Sequence, residues 1–138
     1  MVVTETVIRR GAHSLAELSS YLERELAVGR RSDALRMLFG FVDDFRGSEP
    51  DGQVSLVQEA PPPTGATDID AALAAVAEFC CVEAGMETPR WAMEPSRMAR
   101  PWLFVASNPA FHAYVMANPP ISFARRGVFV AREVFARV

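Results

Sequence analysis

The chain has 138 residues, of which 17 are acidic and 14 are basic, so its formal net charge at pH 7 is −3. Half of the residues are hydrophobic, which excludes a wholly disordered chain, and no apolar run reaches the roughly 18 residues of a membrane span. The overall acidity argues against sequence-independent nucleic-acid binding as the main activity. Residues 1–6 lack the basic start and apolar core of a signal peptide, so we expect a cytoplasmic protein.

The charges are segregated along the chain. Residues 48–90 contain one arginine and eight acids, whereas residues 91–138 contain six arginines and two acids. Two interpretations are open: the acidic middle complements the basic end within one molecule, or the two segments form separate binding faces. We favour the first, because opposite charges in one small domain neutralise each other at short range.

The first predicted helix follows a ragged lead-in of residues 1–12. Ser14-Leu15-Ala16-Glu17 has the sequence of a capping box, in which the serine and glutamate side chains satisfy each other's backbone amides. Gly29 is a plausible stop. The buried stripe is predicted to consist of Leu15, Leu18, Leu22 and Leu26.

The second predicted helix runs from Ser32-Asp33 to Phe45, with Gly47 just past its end. Its apolar positions cover more than one face. A two-helix unit cannot easily bury them all, so we predict a homodimer in which this hairpin takes part. The buried face is predicted to be Leu35, Leu38, Val42 and Phe45, and the dimerisation residues are predicted to be Met37, Phe39 and Phe41.

Residues 48–66 contain glycine, proline, serine and acids, with three consecutive prolines at 61–63, which predicts an extended linker with residues 54–57 held along the surface. A third helix is predicted from Thr67 to the stop at Gly85, with two aspartates in its first turn. Its buried stripe is predicted to be Ile69, Leu73, Val76 and Cys80.

The chain beyond residue 88 is irregular. We predict a short helix over 110–117 capped by Asn108-Pro109, a turn over 121–126, a short strand over 128–130 and a helical end over 133–138. The predicted fold is therefore mainly α: an N-terminal helical hairpin (1–47), a Pro-rich linker (48–66) and a C-terminal helical and irregular region with a short β element (67–138), together forming one compact domain.

The residues that could support catalysis or metal binding are few. The two histidines, His13 and His112, and the adjacent Cys80-Cys81 match no nucleophile–base or zinc-ligand spacing, so we expect buried thiols and no cofactor or metal. An enzyme built on the acidic pairs Asp43-Asp44 or Asp68/Asp70 is a third hypothesis, but both pairs lie where helix ends usually carry acids.

Residues 14–40 could alternatively form a DNA-binding helix-turn-helix. The first helix is too long for that motif, and the second is too apolar to present polar side chains to base edges. A transcriptional regulator that contacts DNA through the N-terminal hairpin is therefore the alternative function, and a helical hairpin is the better description of this region.

The C-terminal third combines aromatic and arginine side chains, which are the residue types that dominate protein interfaces. Trp102 lies in an apolar run and is expected in the core, whereas Trp91 follows a charged loop and is expected to be exposed. Arg125-Arg126 precede Gly127 and either project to bind carboxylates, solvate a turn, or pair with the acidic middle segment. The predicted partner-binding residues are Trp91, Arg97, Arg100, Trp102, Arg125 and Arg126.

Four stretches, residues 41–46, 56–65, 91–92 and 123–130, resemble an uncharacterised family of small bacterial proteins, and the similarity runs from about residue 32 to the end. Members of that family often stand alone or follow a DNA-binding helix-turn-helix, which the first 31 residues here do not clearly carry. Their genes often lie beside one for a nucleotidyltransferase-fold protein of toxin type. The resemblance implies a non-enzymatic antitoxin whose partner is a cognate toxin-like protein.

Overall fold

The computed structural model describes residues 12–105, 112–117 and 119–136, and it confirms the mainly α fold class. The chain separates into two compact units that divide between Thr64 and Gly65. Residues 1–11 of the predicted lead-in and the predicted Asn108-Pro109 cap lie outside the described residues. Within the described part of the chain, no helix is both long enough and apolar enough to cross a bilayer.

The first unit consists of three helices: α1 (Leu15–Ala27), α2 (Arg31–Arg46) and α3 (Pro50–Val57). The predicted capping box begins α1, because the Glu17 amide donates to the Ser14 hydroxyl and the Ser14 amide donates to the Glu17 carboxylate. Gly29 follows Val28, the C-cap of α1, and lies in the left-handed region at φ 78°. Three of the four predicted α1 leucines are buried, and Leu26 is half-buried.

Helix α3 lies within the segment that was predicted to be an extended linker. Pro50 occupies its first turn together with Asp51, a position at which proline needs no amide donor. The Gln53 side chain donates to the Phe45 carbonyl at 3.0 Å and thereby satisfies an oxygen at the end of α2. Leu56 and Val57 are buried, so this segment contributes to the core instead of lying along the surface.

The second unit is built around α4 (Thr67–Ala84), which ends as predicted at Gly85 in the left-handed region at φ 70°. Eleven of its eighteen residues are buried, which means that neighbouring elements cover it on most sides. The other elements of this unit, in chain order, are a 3₁₀ helix (Arg90–Met93), β1 (Leu103–Phe104), α5 (His112–Ala117), α6 (Ile121–Ala124), β2 (Val128–Phe129) and a second 3₁₀ helix (Arg132–Phe135).

A two-stranded parallel sheet organises the irregular end of the chain. Leu103 pairs with Val128, and Phe104 pairs with Phe129. The short strand was predicted over 128–130, but its partner β1 was not. The amide of Leu103 donates to the Gly127 carbonyl at 2.8 Å, so the turn that contains Gly127 is bound directly to the start of β1.

Candidate functional site

The two tryptophans have the opposite burial from the one predicted. Trp91 is only 7 % exposed, because it lies on the 3₁₀ helix that packs against α4, with the Arg97 guanidinium 5.1 Å from its ring centroid. Trp102 is 58 % exposed although it adjoins an apolar run. The prediction was wrong because hydropathy along the chain does not show whether a residue that precedes a strand faces the core or the solvent.

The Trp102 indole is held against the backbone of Gly127. A β-carbon at Gly127 would lie 2.7 Å from Trp102 Cδ1 and 3.2 Å from the Ala99 carbonyl oxygen, so there is no room for a side chain there. Gly127 also has φ 76°, which a side chain would strain. Phe129 meets the indole edge to face at 5.2 Å. Trp102 is therefore exposed and at the same time fixed in position.

A shallow groove adjoins this tryptophan, with a volume of about 480 Å³. The ring of Phe104, which lines the groove, stacks on Phe129 with 5.2 Å between ring centroids and on His112 with 4.1 Å. This stacked aromatic support stiffens the floor of the groove. The groove is lined by Ala99, Arg100, Pro101, Trp102 and Phe104.

Arg100 is exposed at the edge of this groove. Its backbone carbonyl accepts a hydrogen bond from the Thr67 hydroxyl at 3.3 Å. No described residue accepts a hydrogen bond from its guanidinium or forms an ion pair with it. Among the described residues, the guanidinium of Arg100 has no partner, while the hydrogen bond from Thr67 holds its backbone in place.

Arg126 is buried, so the structure excludes the alternative in which it projects from the surface to bind a partner. Its side chain is 5 % exposed, and its guanidinium donates to Glu78 Oε1, the Ser122 carbonyl and the Ala92 carbonyl, each at 2.7 Å. Arg125 also donates to Glu78, through Oε2, and stays 43 % exposed. Both arginines thus pair with the acidic middle segment, which was one of the three alternatives left open by the sequence.

The three predicted dimerisation residues on α2 are not equally accessible. Phe41 is 2 % exposed, with its ring 6.1 Å from that of Phe45, so it belongs to the core and cannot take part in an interface. Met37 and Phe39 are half-buried. The homodimer stays a prediction that depends on these two side chains.

The cysteines that were considered for catalysis are buried in the core, and two of the aspartates are engaged in contacts within a helix. Cys80 and Cys81 are buried thiols, as predicted, and burial followed by the nearby Glu78 charge raises the pKa of Cys81 to about 11. The carboxylate of Asp68 accepts from the Ile69 amide at the start of α4, and Asp43 lies 3.9 Å from Arg46 on α2. Among the described residues, no three His, Cys, Asp or Glu side chains converge as metal ligands would.

Sequence reasoning missed two features that organise this unit, the buried acid Glu78 and the contact between Gly127 and Trp102. Glu78 is the only charged residue between Ala71 and Val82, and a lone acid in an apolar helix requires a buried partner. That signal was present in the sequence. The packing of the Trp102 indole on Gly127 had no local signal in the sequence, because it depends on the parallel pairing of β1 with β2.

Comparison of the chain with protein-family models, with curated proteins and with solved structures finds no match.

Proposed function

We propose that the protein is a non-enzymatic, antitoxin-like binding protein that acts in the cytoplasm and masks a partner protein of toxin type. The partner docks on the Trp102 surface, which we define as Arg100, Pro101, Trp102 and Phe104. The sequence resemblance supports the class of partner, namely a nucleotidyltransferase-fold protein encoded by the neighbouring gene.

The observation that carries this proposal is the fixed exposure of Trp102. A tryptophan that is 58 % exposed leaves a large apolar area in water. Tryptophan is among the residues that contribute most to binding energy in protein interfaces. Because Gly127 and Phe129 already hold the indole, a partner meets a side chain whose conformational entropy has been largely lost on folding.

The proposal is tested by co-expressing the tagged chain with the product of the neighbouring gene and by measuring the affinity of the purified pair by titration calorimetry. We expect a stable complex. Trp102→Ala should weaken it by at least about 2 kcal/mol, the scale of an interface hot spot.

The matched control is Tyr21→Ala, since Tyr21 is also a partly exposed aromatic residue but belongs to the first unit. It should leave the affinity unchanged. Absence of a complex with the neighbouring gene product would refute the proposed function. Equal losses in the two variants would refute the Trp102 surface as the docking site.

A further inference from the structure

Three arginines of the second unit, Arg100, Arg125 and Arg126, differ in whether they pair with a carboxylate. The Arg126 guanidinium is buried and neutralised by Glu78, and Arg125 shares the same carboxylate. Arg100 instead is exposed, and its guanidinium has no hydrogen-bond or ion-pair partner among the described residues. Arginine is always ionised and binds carboxylates through a planar fork of donors. No described residue neutralises the positive charge that Arg100 places beside the Trp102 indole.

We infer that the groove of the Trp102 surface binds an extended acidic segment of a partner protein. An apolar or aromatic side chain of that segment lies on the Trp102 indole, and a neighbouring aspartate or glutamate pairs with Arg100. This inference rests on the proposed function and deepens it, because it names the chemistry of the partner segment.

The backbone on both sides of these two residues is fixed. The Ala99 amide donates to the Arg126 carbonyl at 2.8 Å, and the Leu103 amide donates to the Gly127 carbonyl at 2.8 Å. Residues 100–102 are therefore held between two hydrogen bonds to a single turn. A rigid surface of this kind binds with a smaller entropic penalty than a mobile loop does.

The size of the groove fits a short segment. Its volume of about 480 Å³ lies within the range of roughly 300–1,000 Å³ that is typical of small-molecule sites. Its lining is mainly apolar, with one guanidinium at the edge. This composition suits one apolar side chain and one carboxylate that are close together in the partner sequence.

A single-stranded nucleic acid would also offer rings and negative charge, but it fits this surface less well. Nucleic-acid affinity depends on several phosphate contacts made by several basic residues. Among the described residues that line the groove, Arg100 is the one basic side chain, and the chain has a net charge of −3. The observations therefore favour an acidic peptide segment.

The inference is tested by selecting short random peptides displayed on phage against the immobilised full-length chain, with counter-selection against Trp102→Ala. We expect the enriched peptides to contain Asp or Glu within a few positions of an apolar or aromatic residue. Synthetic copies of these peptides should bind at least about tenfold more weakly to Arg100→Gln, because a charge-assisted hydrogen bond is lost. Arg100→Lys should retain an intermediate affinity, since it keeps the charge but loses the fork.

Arg36→Gln is the matched control, because it removes one exposed arginine from the first unit, and it should not change the affinity. Circular dichroism verifies that each variant is folded, and the Arg100 variants keep the test decisive if Trp102→Ala does not fold. Enrichment of peptides without acids, or equal affinities for Arg100→Gln and Arg36→Gln, would overturn the inference. So would Trp102-dependent binding of a single-stranded oligouridylate that is tighter than that of the peptides.

The two proposals fail in distinguishable ways. If the acidic peptides bind but the neighbouring gene product does not, the proposed function is wrong and the acidic-segment site stands. If the neighbouring gene product binds with an affinity that Arg100→Gln leaves unchanged and no acidic peptide is enriched, the proposed function stands and the acidic-segment site is wrong.

Discussion

Replacing Glu78 with alanine should strongly destabilise the second unit. The carboxylate accepts from Arg126 at 2.7 Å and also from Arg125, and its side chain is 11 % exposed. Without it, the Arg126 guanidinium keeps its bonds to the Ser122 and Ala92 carbonyls but remains buried with an uncompensated charge. Breaking a buried pair in this way costs about 3–5 kcal/mol.

We expect the lower end of that range, because Arg125 is partly solvated and the Glu78 side chain is not completely buried. A loss of about 3 kcal/mol is a large part of the total of roughly 5–15 kcal/mol by which a domain is stable. Urea denaturation followed by tryptophan fluorescence measures it well, since both Trp91 and Trp102 belong to the second unit.

Two further variants make the measurement specific. Glu87→Ala removes an exposed acid of the same unit and should change the free energy of unfolding by no more than about 0.5 kcal/mol. The double variant Glu78→Leu with Arg126→Met should be more stable than Glu78→Ala, because no charge is then left buried. A loss in the free energy of unfolding below about 1 kcal/mol for Glu78→Ala, or a double variant that is less stable than Glu78→Ala, would refute the buried ion pair between Glu78 and Arg126 as the reason for the destabilisation.

Three further predictions concern a helix cap, a thiol and a turn. Ser14→Ala should lower the free energy of unfolding by about 1 kcal/mol in thermal melts, because it removes the acceptor for the Glu17 amide. Because the pKa of Cys81 is raised from 9.0 to about 11, the folded chain holds this proton more tightly than the unfolded chain. Stability should therefore fall as the pH rises from 9.0 to about 11, and Cys81→Ala should abolish that part of the pH dependence in urea titrations. Gly127→Ala should displace the Trp102 indole, because the new β-carbon would lie 2.7 Å from the ring. The displacement should shift the fluorescence emission of Trp102, measured in a Trp91→Phe background, and an unchanged spectrum would contradict the contact between Gly127 and Trp102.

The sequence alone determined the helices whose ends have local signals. The capping box at Ser14 begins α1, and the glycines at 29 and 85 adopt the left-handed backbone where a stop was predicted. These features depend on residues within four positions of each other, so local pattern is sufficient to predict them. Helix α3 had such a signal as well, in Pro50 followed by Asp51, but the glycine and proline content of the surrounding segment obscured it.

The tertiary structure alone decided which side chains of the C-terminal third are accessible. Arg126 is buried because Glu78, 48 residues earlier in the chain, lies opposite it, and the position of the exposed Trp102 indole is set by its contact with Gly127. Both outcomes depend on contacts between residues that are far apart in sequence, and neither composition nor periodicity contains that information. The candidate binding surface was therefore predicted in its residue types but not in its geometry, since burial and charge pairing are properties of the packed unit.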